Sequence, residues 1–201
     1  MFVLGLTGSL GMGKSTTAGF FAEEGVPVHD ADAEVHRLYQ GEAVPLIEAA
    51  FPGTTKDGKV DREALAKRVV DDAAAMKELE AIVHPLVARA RERFLAEAER
   101  SGATVAVLDI PLLYETGGDA RCDAVVVVSA PAAVQRARVL VRPDMSEAKF
   151  QALMGKQLAD AEKRARADFI VDSGQGFEAA RAQVREILKR VRMMANRANR
   201  K

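Results

Sequence analysis

Gly8-Ser9-Leu10-Gly11-Met12-Gly13-Lys14-Ser15 is the stretch on which the fold turns. It fits G-x-x-x-x-G-K-[ST], a pattern expected by chance in only about four of a thousand chains with these Gly, Lys and Ser/Thr frequencies. The apolar run Phe2–Leu6 precedes it, and a helix-patterned stretch, Lys14–Glu24, follows. That strand–loop–helix context is what a phosphate-binding loop needs. Glycines let backbone N–H groups curl around a β-phosphate without Cβ clashes, and the helix N-terminus adds partial positive charge. Gly8, Gly11, Met12, Gly13, Lys14, Ser15 and Thr16 are therefore the candidate ATP-binding residues. Lys14 is placed to reach the β- and γ-phosphates, and the Ser15 hydroxyl to ligate Mg²⁺. Gly11-x-Gly13 overlaps a dinucleotide fingerprint, but the adjoining Lys-Ser points to a nucleoside triphosphate.

Further apolar runs lie at Val26–Val28, Val105–Leu108, Ala124–Val128 and Phe169–Val171. They are short, Val-rich and not alternating, as expected of parallel strands buried on both faces. Long helix-patterned stretches separate them, so the chain reads as α/β, a parallel sheet flanked by helices. The longest interval, about 31–102, is read as almost wholly helical, with apolar faces from Val35 to Val87. Helices gathered in one crossover predict a helical subdomain. Pro52-Gly53 and Lys56-Asp57-Gly58-Lys59 supply turns inside it.

Composition narrows the partners. The 201 residues carry 29 basic and 29 acidic side chains, which argues against a surface built to hold nucleic acid. One cysteine, Cys122, excludes an internal disulfide and suits a reducing cytoplasm. His29, His36 and His84 form no H-x-x-x-H pair, so no structural metal is expected. The N-terminal MFVLGLTGS lacks the charged start of a signal peptide, and no segment is long and apolar enough for a membrane span. From Arg181 onward eight basic residues accompany one acid, with Val184, Ile187, Leu188 and Val191 at helical spacing. A docked terminal helix with a solvated basic side is the first reading of that tail, and a phosphate- or nucleic-acid-binding patch the second. A guanine switch would need N-K-x-D, yet the two asparagines, Asn196 and Asn199, both lie in the tail.

Several acids and bases stand where a phosphoryl acceptor would bind. Asp30 and Asp32 follow the second apparent strand. In an open α/β sheet ligands sit beyond the carboxyl ends of strands. One acid would orient or deprotonate a hydroxyl and the other hold a metal-bound water, against the alternative of a helix N-cap, which suits Asp30. Asp109 ends the third long strand and is either a metal ligand or a strand-end cap. His84, before Pro85, is either a helix-boundary residue or part of the site. Arg138 and Arg142, four apart in a helix-patterned stretch that also holds Arg136, either clamp phosphates from one face or form a solvated one.

Taken together these segments resemble the dephospho-coenzyme A kinase family from Phe2 to about Val184. The resemblance rests on Gly5-Leu6-Thr7-Gly8 with its loop, Asp30-Ala31-Asp32, Asp61-Arg62, and Leu79-Glu80-x-Ile82-x-His84-Pro85. Pro111-Leu112-Leu113-Tyr114-Glu115, Gln135-x-x-Arg138-x-x-x-Arg142, Gln157 and Ala167-Asp168-Phe169-Ile170-Val171 complete it. It implies a nucleotide-binding core (about 1–30, 103–137 and 165–201), a helical acceptor-binding insertion (about 31–102) and a helical lid (about 138–164). It implies transfer of the ATP γ-phosphoryl group, with Mg²⁺, to the ribose 3′-hydroxyl of dephospho-coenzyme A. Asp32 would be the catalytic base beside Lys14 and Arg138. Thr7, Asp32, Arg62, His84, Pro111, Leu112 and Glu115 would line the acceptor pocket, and Arg138 and Arg142 would steady the phosphates. The chain would act in the cytoplasm as a monomer or weak homo-oligomer. Two positions depart from the family pattern. Ser9-Leu10 stands where Gly-Ile is common, and Asp172-Ser173-Gly174 replaces an Asn-containing turn near the adenine. The alternatives are another small-molecule kinase of nucleoside monophosphate or shikimate type, or a non-catalytic nucleotide-dependent regulator.

Overall fold

The computed structural model describes residues 1–198, with side-chain surroundings given through residue 196. In chain order the elements are β1 (Phe2–Thr7), α1 (Lys14–Glu23), β2 (Val28–Asp30), α2 (Ala31–Leu38), α3 (Val44–Ala50), β3 (Thr55–Lys56) and β4 (Lys59–Val60). They continue with α4 (Arg62–Val69), α5 (Ala73–Arg100), β5 (Val105–Asp109), β6 (Ala124–Ser129) and α6 (Ala132–Leu140). The last are α7 (Glu147–Met154), α8 (Asp160–Arg166), β7 (Phe169–Asp172) and α9 (Phe177–Ala198).

Two compact units result. The first comprises Met1–His29 and the chain from Ala98 onward. The sheet order is β2-β5-β1-β6-β7, so the strand feeding the phosphate loop lies in the middle. β1 runs parallel to β5 and β6, and β6 to β7, with Leu4 opposite Val107 on one side and Ala124 on the other. Every residue of β5 and β6 is buried, which explains why their sequences are continuous apolar runs. On one face Phe20 and Phe21 of α1 and Val184, Leu188 and Val191 of α9 pack against Leu4, Leu6, Val126 and Val128. Each such side chain contributes about 1.5–3 kcal/mol on burial. A smaller cluster around Leu113, Tyr114, Val125 and Val127 covers other positions of β6. The loops after β1, β5 and β6 all leave the same end of this parallel sheet, which is where ligands bind in such folds.

The second unit, Asp30–Glu97, has its own core of Leu38, Ile47, Phe51, Leu65, Val83 and Leu86. Carboxylates start α2 and α4. Asp30 Oδ1 accepts from the N–H groups of Asp32 and Ala33, and Asp61 Oδ1 from those of Glu63 and Ala64. Each such cap stabilises its helix by about 1 kcal/mol. The expectation of an almost wholly helical interval misses the hairpin of β3 and β4, which the Asp57-Gly58 turn closes.

The second strand falls two residues later than the apolar run Val26–Val28 suggests. Val26 packs into the core after α1, and the strand itself runs from Val28 to Asp30. Asp30 therefore belongs to the strand end and caps α2. His84-Pro85 marks no helix boundary, because α5 runs through it from Ala73 to Arg100. Pro85 is exposed and Leu79, Val83 and Leu86 are buried, so packing of the helix's apolar side outweighs the one backbone donor that proline lacks.

Candidate active site

The phosphate loop is pressed against the sheet at its start and against the residues after β7 at its end. A Cβ at Gly8 would lie 2.7 Å from the Val128 carbonyl oxygen, so only glycine lets the loop leave β1 along β6. Gly13, the residue before α1, has φ 87°, and a Cβ there would meet Ser173 Oγ at 3.2 Å and Cβ at 3.3 Å. Leu10 is held through its backbone. Its N–H donates to Gln157 Oε1 at 3.2 Å, and its carbonyl accepts from Gln135 Nε2 at 2.8 Å. Met12 is buried, whereas Ser15 and Thr16 are exposed in the first turn of α1. The Ser9 side chain is buried. Lys14 Nζ lies 2.5 Å from Asp109 Oδ1, a buried carboxylate at the end of β5. Asp109 is thus brought to the loop, and its contact there is with Lys14.

Beside the loop, Gly13, Thr16, Arg138, Arg142, Ser173 and Phe177 line a cleft of about 230 Å³. Arg138 Nη1 donates to Ser173 Oγ at 2.8 Å and Nη2 to the Ser173 carbonyl at 2.9 Å. The shared helical face expected for Arg138 and Arg142 is not present, because α6 ends at Leu140 and Arg142 lies in the exposed turn beyond. Both nevertheless reach the same cleft. Arg136 points elsewhere and pairs with Glu147 at 2.8 Å.

The Pro111–Glu115 segment leaves β5 and closes on the lower part of the 138–164 region. Thr7, fully buried, donates its hydroxyl to the Pro111 carbonyl at 2.9 Å. Leu112 is exposed and Leu113 buried. Glu115 Oε1 accepts from the Leu158 N–H at 2.9 Å and lies 2.8 Å from Lys163 Nζ, whose side chain is wholly enclosed. Burial pushes the Glu115 carboxyl up, but the Lys163 ammonium and the Leu158 N–H outweigh it and hold the pKa below the ordinary carboxylate range. Arg166 stacks on the Tyr114 ring, 4.1 Å from its centre, and pairs with Asp119 at 3.0 Å. Burial pushes the Tyr114 phenol up to about 12, with Arg166 opposing. Neither Lys163 nor Ser173 is assigned a role by motif. Their partners lie far away in sequence, and only the alternation of charge in Asp160–Arg166 hints that α8 has a bonded face.

Asp32, Arg62 and His84 belong to the second unit, and all three are exposed. Asp32 sits in the first turn of α2 with its backbone N–H on Asp30. Arg62 opens α4 and lies over the Tyr39 ring at 5.8 Å. His84 projects from the middle of α5.

The basic tail is largely occupied. Arg185 meets Glu24 at 2.6 Å, Lys189 meets Glu186 at 3.3 Å, and Arg181 reaches both Glu23 and Glu178 at 3.1 Å. Arg190 lies over the Phe169 ring. These pairings favour the docked-helix reading. Asn199, Arg200 and Lys201 lie outside the described residues. No described helix is long and apolar enough to cross a membrane.

Comparison with known proteins agrees with this geometry. Residues 2–178 match the family model described as dephospho-CoA kinase. A dephospho-CoA kinase of Rhodopseudomonas palustris (strain BisB18) is 63% identical over 197 residues, covering 98% of this chain and 99% of that one. One of Bradyrhizobium diazoefficiens is 62% identical with the same coverage. A solved structure from Thermus thermophilus superposes with a TM-score of 0.81 at 33% identity, covering 94% of this chain and 97% of its own. A family model that spans every strand of the sheet and the whole helical insertion, with relatives this similar from end to end, shows that the chain belongs to the dephospho-CoA kinase family.

Proposed function

We propose that this chain uses Lys14 and Arg138 to hold ATP and Asp32 to accept the proton in its family's reaction. That reaction phosphorylates the ribose 3′-hydroxyl of dephospho-coenzyme A, giving coenzyme A and ADP, the final step of coenzyme A biosynthesis. The observation that carries the residue assignment is the phosphate loop itself, with Lys14 at its open mouth and Arg138 against Gly13.

In the step, the ribose 3′-oxygen forms a bond to the γ-phosphorus as the bond from that phosphorus to the β–γ bridging oxygen breaks. The leaving electron pair stays on that oxygen, which becomes part of ADP. The hydroxyl proton passes to the Asp32 carboxylate. Backbone N–H groups of Gly11 through Lys14 cradle the β-phosphate, and the Lys14 ammonium meets the charge on the bridge. Arg138 and Arg142 steady the phosphates from the side of the cleft, and water is excluded when the 138–164 segment closes. Contacts to the acceptor are assigned to Thr7, Pro111, Leu112 and Glu115 of the core, and separately to Arg62 and His84 of the helical insertion. Ser15 and Asp109 are hard oxygen donors of the kind Mg²⁺ takes alongside phosphates and water, so they fit the ion that accompanies ATP. An ion held there would supply positive charge against the phosphates. A single cysteine suits work in the cytoplasm.

Release of ADP over a panel of dephospho-coenzyme A, AMP, CMP, dTMP and shikimate separates this function from the other kinases. ADP appearing with dephospho-coenzyme A alone is the expected outcome, and no acceptor-dependent ADP with any of the five would favour the regulator. Asp32→Asn tests the base. It keeps the shape but cannot take the proton, so kcat falls about 10²–10⁴-fold while calorimetry shows near-normal binding of both substrates. A fall in ATP–Mg²⁺ affinity with kcat unchanged would make Asp32 a metal or positioning residue.

A further inference from the structure

Ser173, in the turn after β7, is buried against the phosphate loop. Its hydroxyl donates to the Met12 carbonyl at 2.6 Å. A hydroxyl has one proton to give, so toward Arg138 the same oxygen can only accept, which it does at 2.8 Å from Nη1. The Ser173 carbonyl takes a second bond, from Nη2 at 2.9 Å. Two parallel N–H donors of one guanidinium thus end on one residue, and that residue is bonded to the loop. The guanidinium lies close by, its Nη1 3.7 Å from where a Gly13 Cβ would stand.

We infer that Ser173 is a positioning residue that locks the Arg138 guanidinium to the phosphate loop before nucleotide arrives. Of five guanidinium N–H donors, two are spent on Ser173 and three remain for phosphate oxygens. An arginine on the last turn of a surface helix otherwise samples many rotamers, and fixing it beforehand removes that ordering cost from the transition state. The Met12 bond matters as much as the Arg138 bonds. It fixes the hydroxyl rotor, and so the direction from which the guanidinium approaches.

This inference rests on the reading of Arg138 as a phosphate-contacting residue, so the experiment separates the two. Steady-state kinetics are measured on Ser173→Ala, Arg138→Met and the double variant, with thermal unfolding of each. Ser173→Ala should lower kcat about 10-fold and leave the KM for dephospho-coenzyme A within about twofold. Ser173→Cys, which keeps the volume but accepts hydrogen bonds poorly, should fall with it. In the Arg138→Met background, Ser173→Ala should cost nothing more, because the residue it positions is gone. An unchanged kcat in Ser173→Ala, or a full 10-fold further loss in the Arg138→Met background, overturns the inference. Near-normal turnover in Arg138→Met alone overturns the reading beneath it. Loss of the thermal transition in Ser173→Ala with normal activity in Ser173→Cys would make the residue a packing element only, and also overturns the inference.

Discussion

Two lysine–carboxylate pairs lie on loops and helices around the carboxyl end of β5, and they are mirror images in exposure. In Lys14–Asp109 the lysine side chain is 14% exposed and the acid 2%. In Lys163–Glu115 the lysine is 0% exposed and the acid 14%. The chemistry of the two contacts is the same, so the open partner decides what each can do. Lys14 sits at the mouth of the loop, where its ammonium can exchange a carboxylate oxygen for phosphate oxygens without a buried cavity opening behind it. Lys163 has no route to a ligand. Its charge can only hold Glu115, and through Glu115 it ties α8 and the Leu158 N–H to the Pro111–Glu115 segment. One pair is a loaded contact for catalysis, and in the other a sealed lysine holds the acceptor-side Glu115 in place.

The largest effect that would break this contrast is on turnover. Lys14→Ala should abolish phosphoryl transfer, since the loop loses its charge on the β–γ bridge, while the thermal midpoint falls only modestly. Asp109 is then wetted through the gap at the loop's mouth. Near-normal kcat in this variant would mean that the loop is not the phosphate site.

How much of this was legible in the sequence differs between the two pairs. Lys14 announces itself through seven neighbours in a row, because a loop that wraps a phosphate is a local structure with local spacing. The parallel strands were legible for the same reason, since burial on both faces leaves nothing polar in Val105–Leu108 or Ala124–Val128. The apolar run starts two residues ahead of the second strand, because Val26 is apolar for the sake of the core. Arg142 lies beyond the helix its spacing predicts, since nothing in Leu140-Val141-Arg142 signals the helix end and only Pro143 follows. Lys163 and Ser173 were unreadable as parts of the site. Lys163 looks like any cation on a charged helix, and Ser173 meets Met12 across 161 positions.

Stability sharpens the second half of the contrast. Glu115→Gln leaves a sealed ammonium without its counter-charge and should destabilise the fold by about 3–5 kcal/mol. Lys163→Met should cost less, about 2 kcal/mol, because the carboxylate it abandons is partly open and keeps the Leu158 N–H. The double variant should recover much of the loss, because the stranded ammonium is removed together with its partner's charge. Denaturant titration of the three proteins ranks them, and Lys163→Met proving the worse single change would reverse the assignment of the sealed partner.

The smallest effect is on pH dependence. Glu115 has its pKa held below the ordinary range. Its contribution is therefore present above the unfolded carboxyl value, about 4.3, and is lost as pH falls through the lower folded value. The natural protein should lose stability relative to the double variant only below about pH 4, and parallel stability curves there would show that Glu115 is not held as described.

The most direct test watches the two ammonium groups together. In protein labelled with ¹⁵N-lysine, the Nζ resonances of Lys14 and Lys163 can be assigned by Lys14→Ala and Lys163→Met and followed during titration with ATP–Mg²⁺. A saturable shift of Lys14, as Asp109 is exchanged for phosphate, beside a nearly stationary Lys163 is the predicted result. A Lys14 resonance that stays in place while nucleotide saturates the protein, or a Lys163 shift of equal size, would contradict the division of labour between the two pairs.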